Sequence, residues 1–413
     1  MNAGKLAETG RTILNDAVER EFYGADPYDG LNTNRSSWLL GKSRFWRLVQ
    51  QQVVKRSPLN LRPLLGVRQG VNPKALSLFL SGVRDMLPQQ TELINELRQM
   101  LLLTASRPDG SPVFNGLSRD EIALSDCRTN ADLIENAEFS SEAGWGYNFP
   151  WQSRAFMVSS WIPTAVATSF AVDALNGLDN SVCERAVAAA ARFIESSLHR
   201  HSDFRGVCFS YSPFDRTVVY NASLLAARVL AQAASQGGEK SSERFDLARS
   251  AVEFVVTCQR SDGAWVYGEA DHWGWIDNLH TGFILQVLEE VSGLFDTSEW
   301  DESISRGLEF YRKFLFTSEG LPMQRSDSFY PEDPHTYAQA AITFIALKRF
   351  SPELHSLAEQ VLESAVQRLW NRRTSSFHLR KKSGRLNKTI YLRWSQAWMF
   401  RAISKYVRSV ADL

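Results

Sequence analysis

The feature that most constrains the fold of this chain is a long repeat in which an aromatic turn leads into an apolar helix. Trp145, Val207, Trp265, Pro322 and Phe377 mark successive turns, at steps of 62, 58, 57 and 55 residues. The apolar helices that follow are predicted at 163–175, 221–233, 278–291, 335–347 and 394–406. A period of this length exceeds that of most solenoid repeats and predicts a closed array of helical hairpins.

The helices of the repeat are of two kinds, and the difference predicts where each kind lies. The turn-following helices are apolar on all sides, as in residues 165–172, whereas the helices between them carry charges on one face. A helix that is apolar all round is buried, and a one-sided helix lies at the surface. With 73–87 as the sixth inner helix and 36–54 as the sixth outer helix, we predict an all-α protein: an (α/α)6 toroid of six helical hairpins with short aromatic, strand-like turns.

The domain prediction follows from where the repeat is interrupted. Residues 1–35 form an N-terminal arm, in which the Gly-, Pro- and Asx-rich loop 24–32 is a possible lid. Residues 36–413 form a single toroid domain, and a polar, loop-rich insertion lies at about 105–143.

Composition and charge exclude several functional classes. The chain has 46 basic and 46 acidic residues, so it lacks the basic face that nucleic-acid binding requires. The one basic cluster, Arg380-Lys381-Lys382, is interpreted as a solvated loop. No apolar run reaches the length of a membrane span, and the N-terminus lacks the apolar core of a signal peptide. We therefore predict a cytoplasmic protein without a membrane segment.

Cofactor motifs are also missing from the sequence. The four cysteines are isolated and form no CxxC pair, which argues against a structural zinc site and suits a reducing compartment. There is no phosphate-binding loop and no GxGxxG motif. We predict that the protein uses neither a metal nor an organic cofactor.

Polar and aromatic residues concentrate where the inner helices begin. Helix N-termini carry free N–H groups and positive partial charge, so a mouth at which they converge favours anionic or hydroxyl-rich ligands. Arginines could hold a carboxylate, and tryptophans could stack on a sugar ring. The predicted substrate-binding residues are Asn72, Lys74, Trp151, Gln152, Arg154, Trp275, Asn278, Tyr337, Arg393 and Trp394.

Two histidines are the leading candidates for catalysis. His280 and His335 occupy comparable positions on consecutive inner helices. Two imidazoles that face one cavity can serve as base and acid toward one carbon atom of a substrate. Asp277 is three residues before His280 and shares its helix face, so it could orient or charge that ring. Tyr147 is predicted to be a supporting acid.

Four segments resemble a known group of proteins: 26–32, 72–74, 144–152 and the pair 262–265 with 277–282. They are similar to bacterial proteins of polysaccharide-biosynthesis clusters, and the similarity covers nearly the whole chain. That group is related in fold to six-hairpin glycosidases and to terpenoid-cyclase and prenyltransferase toroids. The resemblance therefore implies the same toroid, and it implies a role in polysaccharide synthesis.

Within these relatives the sequence favours the branch that acts on sugars. The acidic motifs of terpene cyclases are absent, and no zinc set of the prenyltransferase kind can be placed. We expect an enzyme that acts on a sugar or polysaccharide unit by proton abstraction, as an epimerase or a lyase. Two alternatives stay open: a glycoside hydrolase with Asp277 or Asp333 as its acid, and a non-catalytic toroid that binds a prenyl lipid.

Overall fold

A computed structural model describes residues 3–33, 43–57, 59–115, 119, 122–153, 156–270, 273–382, 385–387 and 389–411. In this part of the chain, helices form two concentric rings, one inside the other. The inner ring consists of α4 (Pro73–Met86), α8 (Ala165–Leu175), α10 (Tyr220–Ser235), α12 (Asn278–Phe295), α14 (Pro334–Ala346) and α16 (Trp398–Ala411). The outer ring consists of α1 (Ala3–Glu19), α5 (Thr91–Leu103), α9 (Ser181–Ser197), α11 (Ser241–Thr257), α13 (Asp301–Phe314) and α15 (Glu353–Leu369).

The inner helices close into a complete ring. Each contacts the next one in chain order, and α16 packs against α4. At that closure a Cβ added to Gly82 would lie 2.6 Å from the Phe400 ring, so only glycine lets α4 and α16 approach this closely. Ten of the eleven residues of α8 are buried, as expected for a helix without a polar face. The predicted (α/α)6 toroid is confirmed.

The sixth outer helix is α1, and the prediction that 36–54 fills this position was wrong. The helix α1 packs on α16, and its apolar face buries Leu6, Ile13 and Leu14, each at most 4% exposed. Burial of such a side chain contributes about 1.5–3 kcal/mol. The helix α1 therefore belongs to the outer ring.

The remaining helices are short or lie outside the two rings. The helix α2 (Arg44–Arg56) packs on a 3-10 turn, Asp29–Leu31, near the mouth, whereas residues 34–42 lie outside the described part. The insertion contains α6 (Leu124–Thr129) and α7 (Ala131–Glu135), which both pack on α5. A short helix, α3 (Arg62–Leu65), precedes α4, and a π-helical turn, Leu392–Ala397, leads into α16.

Five antiparallel two-stranded ribbons complete the described part of the chain. They pair β1 (Tyr23–Gly24) with β2 (Gly70–Val71), β3 (Trp151–Gln152) with β4 (Met157–Val158), β5 (Arg200–Asp203) with β6 (Gly206–Phe209), β7 (Trp370–Asn371) with β8 (Ser376–Phe377), and β9 (Arg380–Lys382) with β10 (Arg385–Asn387).

The aromatic turns of the repeat are structural. Trp145 and Trp265 are buried, and their indole N–H groups donate to backbone carbonyls of the preceding outer helices at 2.8 Å. Gly263 has a φ of +88°, and a Cβ there would lie 2.4 Å from the backbone oxygen of Arg306. The turn therefore needs glycine for both its conformation and its space.

Among the described residues, no helix is both long enough and apolar enough to cross a membrane.

Candidate active site

The N-termini of the inner helices surround a cavity of about 310 Å³ at one end of the toroid. Side chains from the cavity ends of the inner helices α4, α8, α10, α12 and α14 reach its wall, as do residues of the π-helical turn. Nine predicted site residues line it: Lys74, Tyr147, Trp151, Trp275, Asp277, His280, His335, Arg393 and Trp394. The structure therefore brings together residues that are spread over 320 positions of the chain.

Asp277 and His280 form a tightly bonded pair at the start of α12. Asp277 caps the helix by accepting the backbone N–H of His280 at 2.8 Å, and its other oxygen lies 2.7 Å from Nδ1 of the His280 ring. The indole N–H of Trp275 donates to that same oxygen at 3.0 Å. Burial raises the pKa of Asp277, but the contacts with His280 and Trp275 outweigh it and leave the pKa below its ordinary value.

The ionised Asp277 determines which nitrogen of His280 carries the proton. A carboxylate only accepts hydrogen bonds, so the Nδ1 atom of His280 is the protonated one. In the neutral ring the Nε2 atom therefore carries the lone pair, on a side chain that is 29% exposed and lines the cavity. The ring of Tyr267 packs edge-on against the imidazole at 4.6 Å and limits its rotation. This arrangement suits a general base.

His335 is held differently from His280, between aromatic rings. It stacks on Trp398 at a centroid distance of 4.2 Å and meets Trp394 edge-on at 4.6 Å. The side chain is 2% exposed, and neither ring nitrogen has a hydrogen-bond partner in the described residues. Burial, with Lys74 and Arg393 nearby, holds the pKa of His335 well below its ordinary value of 6.5. The ring is therefore a neutral imidazole.

The low pKa of His335 predicts an acid-sensitive fold. Below pH 6.5 the unfolded chain takes up a proton at this histidine and the folded chain does not, so the free energy of unfolding falls as the pH drops from 6.5 toward the folded pKa. The expected loss is about 1.4 kcal/mol per pH unit, and a His335→Phe variant should lack it. Denaturant unfolding of both proteins at about pH 5.5 and about pH 7.5 measures this difference. Equal pH slopes for the two proteins would contradict a neutral, buried ring.

Lys74 lies on the first turn of α4 and reaches the base of the cavity. Its Nζ atom is 4.1 Å from the centre of the Phe170 ring and 5.1 Å from that of Trp398. A desolvated cation over an aromatic ring gains on the order of 2 kcal/mol, whereas removing an ammonium from water costs several kcal/mol. Burial is the largest effect on Lys74, and with the charge of Arg393 it lowers the pKa well below 10.5.

The loop predicted to be a possible lid is bound to the cavity wall by a buried ion pair. Arg393, on the π-helical turn, donates from Nη2 to Asp26 at 2.8 Å and also from Nε, and both side chains are at most 5% exposed. The guanidinium also lies 4.9 Å from the centre of the Tyr147 ring. Arg393 therefore fixes the N-terminal loop, and its fork is already occupied by a carboxylate.

The prediction that Arg380 belongs to a solvated loop was wrong. It lines the cavity and donates from Nε to Asp333 at 2.9 Å. Asp333 also accepts the indole N–H of Trp394 at 2.9 Å and caps α14 through the backbone N–H of His335. Asp333 thus orients Trp394 and the start of α14 instead of facing the cavity.

Several lining residues were missed by the sequence analysis. Tyr28 comes from the N-terminal loop, and the Nζ atom of Lys55 lies 3.6 Å from its ring centre. Burial raises the pKa of Tyr28, but Lys55 and Arg380 outweigh it, so the pKa lies below its ordinary value. Tyr211 and Tyr267 complete the aromatic wall, and only their aromatic character and their place in the turns marked them in the sequence.

Four predicted binding residues have structural roles instead. Asn72 caps α4, and the Gln152 side chain bonds to Arg47 and to nearby backbone carbonyls. Asn278 bonds to Leu315 and Tyr311, and the Tyr337 hydroxyl donates to Glu332. A fifth, Arg154, lies outside the described residues.

Comparison with solved structures identifies proteins of the same architecture. The chain resembles cellobiose 2-epimerase from Bacillus thermoamylovorans B4167, with a TM-score of 0.57 and 9% identity over 82% of this chain and 88% of that one. It resembles cellobiose 2-epimerase from Spirochaeta thermophila DSM 6192, with a TM-score of 0.51 and 14% identity over 76% and 85%. D-mannose isomerase gives a TM-score of 0.51 and 9% identity over 70% and 81%.

The sequence itself has no such matches. No protein-family model matches it, and no curated protein does. At identities of 9–14%, the structural similarity shows the fold alone. The chain is a six-hairpin (α/α)6 toroid of the type found in cellobiose 2-epimerases and D-mannose isomerase.

Proposed function

We propose that this protein is an enzyme that epimerises or isomerises a reducing sugar by moving the proton on the carbon next to the carbonyl. The observation that carries the proposal is the Asp277–His280 pair, which presents a basic Nε2 atom at the wall of an aromatic cavity. The volume of about 310 Å³ is at the low end for ligand sites and suits one or two sugar rings. The epimerases and the isomerase that share the fold are consistent with this chemistry.

His280 is the proton carrier in this proposal. Its Nε2 atom takes the proton from the sugar carbon, and the imidazolium that forms is stabilised by the carboxylate of Asp277 at 2.7 Å. A positioned general base of this kind contributes about 100- to 10,000-fold to the rate. In an isomerisation the same ring returns the proton to the neighbouring carbon. In an epimerisation it returns the proton to the opposite face of the same carbon, after the enediolate has rotated about its C2–C3 bond.

His335 was predicted to act as an acid, and its lowered pKa favours a different role. A ring whose pKa lies well below 6.5 carries no extra proton to give at neutral pH. A neutral imidazole can still donate one N–H hydrogen bond, and such a donor stabilises the developing oxyanion of an enediolate. We assign His335 to that role, with its ring held in place by Trp394 and Trp398.

The alternatives have less support at this site. A hydrolase needs a carboxyl group that is protonated at neutral pH, whereas the pKa of Asp277 is lowered and Asp333 is bonded to Arg380 and Trp394. A prenyl-lipid site would be apolar, whereas this cavity is lined by Lys74 and by both histidines. A lyase uses the same proton abstraction and differs in its product. The link to bacterial polysaccharide synthesis and the cytoplasmic location stay predictions from the sequence.

Proton exchange with solvent tests the proposal directly. The protein would be incubated in deuterium oxide with mannose, glucose, N-acetylhexosamines, cellobiose and uronic acids, and each mixture followed by proton NMR. We expect loss of the H2 signal of one sugar class together with a C2 epimer or the matching ketose. A lyase would instead give a conjugated double bond that absorbs in the ultraviolet. The absence of exchange and of any new product across the panel would contradict the proposal.

A further inference from the structure

Lys74 is the one described lysine whose amine opens into the cavity. The side chain is 3% exposed, and it points from the first turn of α4 toward the space between α8, α12 and α16. Its Nζ atom forms no hydrogen bond and no ion pair with any described residue. The nearest surfaces are the rings of Phe170, Trp398 and Phe283, at 4.1, 5.1 and 5.7 Å from the amine.

The charges around Lys74 oppose its protonation. Burial lowers the pKa of the amine most, and the charges of Arg393 and Arg228 lower it further. Asp26 acts in the opposite direction, but this carboxylate is bonded to Arg393. Arg228 is likewise bonded to Glu290, at 2.7 Å, and no carboxylate among the described residues forms an ion pair with Lys74. Desolvation beside other cations favours the unprotonated form of a lysine, and the unprotonated amine is a nucleophile.

We propose that Lys74 forms an imine with the aldehyde carbon of an open-chain sugar in this cavity. The lone pair of Nζ adds to the carbonyl carbon, and the carbinolamine then loses its oxygen as water. The C–O bond breaks, a C=N bond forms, and uptake of one proton gives the iminium ion. No oxidant or reductant is needed, and hydrolysis by one water molecule returns the aldehyde and the amine.

The imine would make the proposed proton transfer easier. An iminium ion is a stronger electron sink than a neutral carbonyl, so the neighbouring C–H bond becomes more acidic. His280 would take that proton to give an enamine. Its return to the opposite face of C2 restores an iminium ion, and hydrolysis of that ion would release the C2 epimer and the free amine. This inference rests on the proposed function, since it concerns the same substrate carbon. It adds a covalent step at Lys74 that base catalysis alone does not require.

Reductive trapping tests the covalent step without any turnover. The protein would be incubated with D-mannose, and separately with glycolaldehyde, in the presence of sodium cyanoborohydride, and then digested and analysed by mass spectrometry. We expect a dominant adduct on Lys74 and a smaller one on the surface residue Lys313, because burial lowers the pKa of Lys74 and a lower pKa leaves more of the amine unprotonated. An adduct spread evenly over the surface lysines would overturn the proposal.

Two variants check where the adduct forms. Lys74→Met keeps the length and apolar stem of the side chain, and it should remove the dominant adduct. Lys313→Met, on the exposed face of α13, should leave that adduct unchanged. Persistence of the full adduct in Lys74→Met would contradict the assignment.

A second measurement uses only the unmodified chain. Reductive methylation with formaldehyde, followed peptide by peptide against pH, gives the titration midpoint of each amine. Lys74 should be methylated at a lower pH than Lys313, whereas a common midpoint would contradict a free amine in the cavity.

The outcomes separate this inference from the proposed function. Solvent exchange at C2 without an adduct on Lys74 would support the proposed proton transfer and contradict the imine. An adduct on Lys74 without exchange on any sugar would support Lys74 as a nucleophile and contradict the proposed proton transfer.

Discussion

A His280→Asn variant is expected to lose about 100- to 10,000-fold in kcat for proton exchange, which is the usual contribution of a general base. Asparagine can keep a hydrogen bond to Asp277, but its amide has no basic lone pair at the position of Nε2. KM should change little, because the aromatic wall that Trp275 and Tyr267 form by stacking at 4.6 Å stays in place. Exchange rates measured by NMR in deuterium oxide give both constants.

A matched histidine outside the cavity provides the control. His355 lies on the outer helix α15, where its ring bonds to Ser409 at 3.0 Å. His355→Asn should keep the exchange rate of the unmodified protein. Asp277→Asn should fall between the two, since the amide can no longer hold the Nδ1–H tautomer or stabilise the imidazolium. An exchange rate in His280→Asn within about threefold of the parent would remove His280 as the base.

The inner ring was predictable because its signal is local. Helices such as α8 are apolar on every side, and a helix of that kind has to be enclosed by others. The choice of the sixth outer helix was not local. Residues 3–19 and 44–56 are both one-sided helices, and which of them covers α16 depends on how the ring closes. The periodicity within each segment does not show which of the two helices packs on α16.

Helix geometry indicates which of the predicted residues on α12 and α14 face the cavity, and the sequence prediction did not apply it. Successive residues of an α-helix are turned by about 100°, so side chains two positions apart point about 200° away from each other. If His280 faces the cavity, Asn278 faces away, and the same argument separates Tyr337 from His335. The structure shows this arrangement, with Asn278 and Tyr337 fully buried and bonded to the scaffold.

The other missed residues depend on contacts between distant parts of the chain. Tyr28 reaches the cavity because Asp26 is bonded to Arg393, which is 367 residues away in the sequence. Arg380 looked like part of a charged surface run, and only its pairing with Asp333 turns it inward. Sequence patterns describe a helix or a turn, whereas these contacts arise from closure of the ring.

The pair of Asp26 and Arg393 also gives the largest expected effect on stability. An Asp26→Ala variant would leave the guanidinium of Arg393, which is 4% exposed, without its carboxylate. Loss of one partner of a buried ion pair costs about 3–5 kcal/mol, because a charge stays buried and uncompensated. We expect a decrease of this size in the free energy of unfolding, measured by denaturant titration. Asp16→Ala breaks an exposed pair with Arg20 and should cost less than about 1 kcal/mol.

A double variant distinguishes loss of the charge balance from loss of a contact. Asp26→Leu with Arg393→Met removes both charges and keeps apolar volume, so it should be considerably more stable than Asp26→Ala. Both proteins should nonetheless bind sugar more weakly, because the loop that carries Tyr28 to the cavity is no longer tied to the π-helical turn. Equal destabilisation in the single and double variants would mean that packing, and not the buried charge, holds the loop. Recovery of stability without recovery of KM would instead assign the ion pair to the positioning of the cavity wall.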